Sequence, residues 1–134
     1  MRLMMPKTKR TLHGIGVDVV ALSRVKDFFE KHRKNLDKIL TRKEQRKLKA
    51  APDSNRMLAY LFSAKEAVFK SLDLDWLGIE GFRMIEIEPP LNNEHLGRAT
   101  LSGKMKKKVA RRLREWVLYF LEVDDCVIAK AFSF

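Results

Sequence analysis

Two short stretches of the sequence hold charges in patterns that suggest chemistry. In the stretch GIGVD, the carboxylate of Asp18 follows two glycines at alternate positions. In the stretch LFSAKEAVFK, Lys65, Glu66 and Lys70 lie on or beside a helical pattern of apolar residues. Burying an unpaired charge is costly because the charge loses its hydration. These four residues are therefore the first candidates for a functional site.

The residue types in these stretches fit a metal ion together with a phosphate group. Mg²⁺ characteristically binds one or two carboxylates plus phosphate oxygens and water. Asp18 and Glu66 would supply the carboxylates, and the two lysines would neutralise the phosphate oxygens. Simpler alternatives stay open at this point. Glu66 and Lys70 have the spacing of an exposed helical ion pair, Lys65 could extend its ammonium to the surface, and a lone Asp is commonly a turn or cap residue.

A strand is predicted to position Asp18. Over residues 12–20, apolar side chains alternate with the two glycines and Asp18, which is the pattern of a β-strand. The alternation places Asp18 on the same face as the glycines. Because glycine has no side chain, another group can approach the backbone closely on that face.

A helix over about residues 56–72 is predicted to position the other three charges. Its apolar residues recur at helical spacing, and Lys65 falls inside their stripe. Glu66 and Lys70 share one side of the helix, next to the stripe. The apolar residues of this stripe are Leu58, Leu61, Phe62, Phe69 and Leu72.

The rest of the chain predicts an α+β protein. Thr41 followed by Glu44 has the spacing of a helix capping box. Helices and strands are segregated along the chain, so we expect α+β architecture, with a loose tail over residues 1–11 and one domain over 12–134. The further predicted elements are helices over 21–34, 41–50 and 103–115, strands over 81–88 and 97–102, and a hairpin of 116–123 with 126–134.

Composition favours a protein that is neither secreted nor embedded in a membrane. The single cysteine, Cys126, rules out an intrachain disulfide, and we find no signal peptide or membrane span. We therefore expect a cytoplasmic protein with no membrane partner. The net charge of +11 is concentrated in residues 24–49 and 104–114, which favours an acidic or polyanionic partner.

The two charged motifs, in this order and about fifty residues apart, resemble one family. GIGVD and FSAKEAVFK are similar to the signature motifs of 4′-phosphopantetheinyl transferases of the short holo-acyl-carrier-protein synthase type. The resemblance runs over nearly the whole chain from Leu12 and implies the fold of that family, an antiparallel sheet with the long central helix packed on it. Further matching stretches are ILTRKE (39–44), MLA (57–59), and Gly97-Arg98.

The resemblance implies an activity and a set of roles. The family moves the phosphopantetheine arm of coenzyme A onto a serine of an acyl or peptidyl carrier protein, releasing adenosine 3′,5′-bisphosphate. By position, Asp18 and Glu66 would hold Mg²⁺, and Glu66 and Lys70 would be catalytic. Lys65 and Lys70 would bind coenzyme A, and Arg24 would meet the acidic carrier protein. The family also implies a homotrimer with the site between subunits.

The chain departs from the family pattern in three places. Leu61 stands where arginine is usual, and residues 72–75 replace a turn rich in Gly and Thr. The last hairpin offers Phe120, Glu122 and Val123 where a Ser/Thr and His pattern is usual. The metal half of the site is intact while the nucleotide half is altered, so a member with lost or changed activity is one alternative.

A basic nucleic-acid-binding module is the alternative from another functional class. It accounts for the positive charge but not for the charges in the two motifs. The sequence also lacks a zinc finger, a glycine-clamp loop and an aromatic sheet motif. Nucleic acid is therefore not the partner that we expect.

Overall fold

The structure is a computed structural model that describes residues 11–72, 78–91, 94–109 and 115–134. It has the predicted α+β architecture. The helices are α1 (Leu22–His32), α2 (Arg42–Ala50), α3 (Ser54–Ser71), α4 (Gly78–Arg83) and α5 (Gly103–Val109), with a 3₁₀ helix over Arg33–Lys38. The strands are β1 (Gly14–Ala21), β2 (Ile85–Glu88), β3 (Leu96–Leu101), β4 (Trp116–Val123) and β5 (Cys126–Ser133).

The five strands form one antiparallel sheet in the order β1-β5-β4-β3-β2. β4 and β5 form the predicted hairpin around Asp124 and Asp125, and Asp124 takes the left-handed conformation that such a tight turn requires. β1 pairs with β5 along its full length, so the first strand of the chain lies beside the last. This pairing places the GIGVD motif in a strand at one edge of the sheet.

Helix α3 is the central helix and packs across β1 and β5. Asp53 caps its start by accepting a hydrogen bond from the Arg56 amide at 3.1 Å. Its buried apolar residues are Leu58, Ala59, Leu61, Ala64, Ala67 and Val68. Because one helix carries most of the contacts to the sheet, its rotation about its own axis decides which side chains reach β1.

The opposite face of the sheet is open and apolar. Ile15, Val17 and Val19 alternate with the inward-facing residues of β1 and are 53%, 44% and 57% exposed. Their cross-strand neighbours on β5 are Phe132 and Ile128 opposite Ile15 and Val19, and Lys130 opposite Val17. We call the five apolar residues among these the outer apolar face.

Several boundaries differ from the prediction. The predicted strand over 81–88 is wrong in its first half, because α4 ends at Arg83 and β2 begins only at Ile85. The helix from 103 is described to Val109, residues 110–114 lie outside the described residues, and Glu115 is not helical, so the predicted helix does not extend to 115. The capping box of α2 is confirmed, with Thr41 Oγ1 accepting from the Glu44 amide at 3.2 Å and Glu44 Oε1 from the Thr41 amide at 2.8 Å.

Candidate functional site

The two glycines of β1 allow the backbone of α3 to approach the strand. A Cβ atom built on Gly16 would lie 1.8 Å from the carbonyl oxygen of Ala67, and one built on Gly14 would lie 2.1 Å from that of Ser71. No real side chain tolerates such distances, so only glycine fits at these two positions. The close approach predicted from the alternation is confirmed, and it places the end of α3 directly over β1.

This approach brings Lys70 to Asp18. The Lys70 ammonium donates to Asp18 Oδ1 at 3.1 Å and to the carbonyl oxygen of Val17 at 3.2 Å. The Asp18 side chain is 15% exposed and that of Lys70 is 53% exposed. Asp18 is therefore an accessible carboxylate at the base of a groove, with an ammonium already beside it.

Glu66 lies one turn before Lys70 on α3 and is half-buried. Burial raises the pKa of Glu66, and the negative charge of Asp18 raises it further, while Lys70 opposes both effects. Asp18 and Glu66 line the same groove, so their carboxylates are placed to hold one cation between them. The pair predicted from the two motifs is thus brought together by the fold.

An open groove continues from the two carboxylates along α1. Asp18 and Glu66 lie at one part of its lining, and the exposed side chain of Arg24 lies at another. Phe28 and Phe62 form an apolar wall between α1 and α3, with their ring centroids 5.6 Å apart. The groove therefore combines an anionic end, an apolar wall and a basic rim.

Lys65 lies elsewhere, which corrects the prediction that it lines the same pocket. Its side chain is fully buried, and its ammonium bonds Glu44 Oε1 at 2.7 Å, the Phe82 carbonyl oxygen at 2.6 Å and the Ile85 carbonyl oxygen. Three acceptors use all three donors of the ammonium. Successive helix residues are about 100° apart around the axis, so Lys65 leaves α3 in a different direction from its neighbour Glu66, which faces the groove with Asp18. No donor of Lys65 is left to bind a ligand in the groove.

The altered hairpin and Leu61 also have structural explanations. Glu122 bonds the guanidinium of Arg56 through both carboxylate oxygens, so this unusual acid has a partner on α3. Phe120 is buried against the ring of Tyr60, with centroids 5.0 Å apart. Leu61 is fully buried in the core, so a basic side chain in its conformation would be buried too. Within the altered turn, residues 73–75 lie outside the described residues.

The comparison with known families decides the classification. The profile of the 4′-phosphopantetheinyl transferase superfamily matches residues 14–123, a span that contains both motifs. The chain belongs to the 4′-phosphopantetheinyl transferase superfamily. The resemblance predicted from the motifs is confirmed.

Curated relatives and solved structures agree with this classification. The chain is similar to the holo-acyl-carrier-protein synthase of Clostridium kluyveri, with 37% identity over 73% of this chain and 69% of the relative. It is 32% identical to that of Caldanaerobacter subterraneus over 89% of this chain and 92% of the relative. The crystal structure of the Neisseria meningitidis synthase matches with a TM-score of 0.79 and 25% identity, covering 92% of this chain and 99% of the other. The transferase fold expected from the sequence is thus confirmed.

The donor set of this superfamily member fits Mg²⁺. Among the described residues there is no cluster of three or more His, Cys, Asp or Glu side chains that could hold a metal by itself. Asp18 and Glu66 supply two carboxylates, and Mg²⁺ commonly takes one or two and completes its shell with phosphate oxygens and water.

The described residues also contain no helix that is both long and apolar enough to cross a membrane.

Sequence reasoning missed the partner of Lys65. The spacing of Thr41 and Glu44 predicts only the capping box. In the structure Glu44 Oε2 also accepts from the Ile87 amide, and Oε1 also accepts from the Lys65 ammonium, and both donors lie outside α2. A signal was present, because a lysine inside an apolar stripe needs a carboxylate from another element. The sequence offers several acids, and spacing along the chain does not choose among them.

Proposed function

We propose that this superfamily member transfers the 4′-phosphopantetheine arm of coenzyme A to a serine of an acyl or peptidyl carrier protein in a Mg²⁺-dependent reaction. The product besides the loaded carrier is adenosine 3′,5′-bisphosphate. The observation that carries the proposal is the meeting of Asp18, Glu66 and Lys70 at the contact between β1 and α3. The relatives named above carry the corresponding synthase activity in their names.

The chemistry requires charge stabilisation more than a nucleophile from the enzyme. The serine oxygen of the carrier forms a bond to the β-phosphorus of coenzyme A, and the bond from that phosphorus to the bridging oxygen of the diphosphate breaks. Mg²⁺ held by Asp18 and Glu66 would stabilise negative charge on the diphosphate. Lys70 would leave Asp18 when the cation binds and would donate to a phosphate oxygen, which stabilises the leaving group.

Glu66 is our candidate for the proton acceptor. Deprotonating the serine hydroxyl requires a base within hydrogen-bond reach. In the metal-free protein, burial and the charge of Asp18 raise the pKa of Glu66, and a bound cation would lower it again. The place of Glu66 in the groove, rather than its basicity, therefore makes it the candidate. A free carboxylate oxygen of Glu66 would take the serine proton as the oxygen–phosphorus bond forms.

The basic helices and Arg24 supply a surface for an acidic carrier protein. Arg24 lines the groove and its side chain is exposed, so it would contact a protein that approaches the groove. The exposed bases of α1 and α2 would attract an acidic partner and speed its association. We propose that the carrier approaches over α1, with its serine entering the groove towards Glu66.

The outer apolar face supports a homotrimer. An apolar sheet face of this kind on a small domain marks an association surface. β1 exposes Ile15, Val17 and Val19 on this face while Asp18 projects from the other, so an associated copy would lie close to the site. Assembly as a trimer and a cytoplasmic location remain predictions from the family and from composition.

A transfer assay with mass spectrometry tests the proposed function. The protein is incubated with coenzyme A, Mg²⁺ and a panel of apo carrier proteins, and the carriers are weighed. We expect one phosphopantetheine arm per carrier, with loss of transfer in Asp18→Asn and Glu66→Gln. Glu88→Gln, an exposed acid of β2 and not of α1 or the groove, is the matched control and should transfer normally.

The same assay separates the two alternatives. A member with altered activity would load an unusual carrier or require far more coenzyme A for half-maximal rate. A nucleic-acid-binding module would load no carrier and would bind DNA or RNA with an affinity that falls steeply with salt and does not require Mg²⁺. The latter result would refute the proposed function.

A further inference from the structure

The buried ion pair of Glu44 and Lys65 lies behind the functional helix and joins three separate elements. Lys65 comes from the middle of α3, and Glu44 comes from the first turn of α2. Both side chains are 0% exposed. The proposed reaction uses neither of them. Two ionised groups at such a depth have a high desolvation cost, so the arrangement requires an explanation.

The carboxylate of Glu44 is held by three donors. Oε1 accepts from the Thr41 amide at 2.8 Å and from the Lys65 ammonium at 2.7 Å, and Oε2 accepts from the Ile87 amide at 2.8 Å. Thr41 also donates through its hydroxyl to Glu86 at 2.9 Å. The position of Glu44 is therefore fixed from both α2 and β2.

The pair also bonds the free edge of the sheet. β2 is an edge strand, and Ile85 and Ile87 are two residues apart, so their outward backbone groups point the same way. The Ile85 carbonyl bonds Lys65 and the Ile87 amide bonds Glu44. The ion pair thus takes the place of a further strand and ties α3 to the sheet at the side opposite β1.

This attachment constrains the rotation of α3. Lys65 and Glu66 are adjacent, so their side chains leave the helix about 100° apart. Once the ammonium of Lys65 is fixed by three acceptors, the direction of Glu66 follows. On the other side, the glycines of β1 fix the distance between strand and helix. Lys70 bonds Asp18 there, but its side chain is half exposed and would leave Asp18 when a cation binds.

We propose that Glu44 is a positioning residue that acts through Lys65 to aim the carboxylate of Glu66 at Asp18. The inference rests on the proposed function, because it concerns the metal-binding pair of that site. Lys65, the first lysine of the FSAKEAVFK motif, and Glu44, the glutamate of the ILTRKE stretch, then form one buried ion pair that orients Glu66. Loss of this ion pair would weaken metal binding although neither residue touches the metal.

The test measures Mn²⁺, a paramagnetic substitute for Mg²⁺, by the electron paramagnetic resonance signal of the free ion. The variant is Glu44→Gln with Lys65→Met, which removes both charges and so avoids leaving one buried and unpaired. We expect a cooperative melting transition together with an Mn²⁺ dissociation constant raised roughly tenfold or more. The glutamine amide keeps an acceptor for the Ile87 amide but no longer fixes the helix by charge.

The matched control is Arg56→Met with Glu122→Gln. It removes the same charges from another pair that joins α3 to the sheet, but this pair is exposed and lies at the start of the helix, about 15 Å from Glu66. Its Mn²⁺ affinity should equal that of the wild type. A folded Glu44→Gln, Lys65→Met variant with wild-type Mn²⁺ affinity would overturn the proposal.

Two further variants keep the outcome decisive. If the double variant does not fold, Glu44→Asp keeps the charges paired but shortens the side chain by one methylene. It should then bind Mn²⁺ more weakly than the wild type, and wild-type affinity would overturn the inference.

Asp18→Asn tests the site itself: if the wild type binds Mn²⁺ no better than Asp18→Asn, the proposed metal site fails, and the inference fails with it. If only the double variant behaves like the wild type, the inference fails alone.

Discussion

Replacing Lys65 alone by methionine should cost this protein a large part of its stability. The substitution keeps an unbranched apolar side chain, one atom shorter, but leaves the Glu44 carboxylate fully buried without a counter-ion. It also removes the donor for the carbonyl oxygens of Phe82 and Ile85. Removing one partner of a buried ion pair typically costs about 3–5 kcal/mol, against a total stability of about 5–15 kcal/mol for a domain.

Urea unfolding followed by far-ultraviolet circular dichroism measures this cost. With a slope of about 2 kcal/mol per molar urea, a loss of about 4 kcal/mol lowers the midpoint by about 2 M. Adding Glu44→Gln should restore most of that loss, since no charge then remains buried, and the two substitutions should be strongly non-additive. A midpoint for Lys65→Met within about 0.3 M of the wild type, which corresponds to a loss of only about 0.6 kcal/mol at that slope, would refute the buried ion pair and the reasoning that depends on it.

Three further predictions concern the site and the assembly. Gly16→Ala should destabilise the protein by at least about 1–3 kcal/mol and weaken Mn²⁺ binding, because its Cβ would force the Ala67 carbonyl away; a variant with unchanged melting temperature and Mn²⁺ affinity would contradict this. Folding raises the pKa of Glu66, so the folded metal-free protein binds the carboxyl proton of Glu66 more tightly than the unfolded chain does. The free energy of unfolding therefore falls as the pH rises above the ordinary pKa of a glutamate and Glu66 ionises. The melting temperature of Glu66→Gln minus that of the metal-free wild type should therefore be larger at pH 7 than at pH 4. A large loss of stability in the variant at pH 7 would instead mark Glu66 as structural. Val19→Glu on the outer apolar face should convert the proposed trimer to monomers in sedimentation equilibrium without lowering helix content, and an unchanged mass would exclude Val19 from the interface.

The positions of Asp18, Glu66 and Lys70 could be predicted from the sequence, because they follow from the periodicity of one strand and one helix. Alternation in β1 placed Asp18 on the face of the glycines, and helical spacing placed Glu66 and Lys70 together on one side of α3. Both patterns are geometric consequences of a strand and a helix, so they hold once each element forms. The close approach at Gly16 followed from the same alternation.

The partner of Lys65 could not be predicted in this way. Glu44 and Lys65 lie on different helices, and their contact depends on how α2 and β2 pack beside α3. Strand β2 was also placed too early, because the apolar residues just before it are compatible with either a strand or a short helix. Likewise the pairing of Arg56 with Glu122 joins residues far apart in the chain, which only the assembled sheet brings together.

Strand β1 is constrained by its close approach to α3, and this makes its register well defined. Slipping by one residue would turn every side chain to the opposite face. The side chains of Ile15 and Val17 would then meet the backbone of α3 at positions where even a methyl group does not fit. Asp18 would simultaneously turn outward among apolar residues. Any insertion or deletion within the strand should therefore abolish folding and metal binding together, whereas a conservative change on the outer apolar face leaves the alignment of the strand intact.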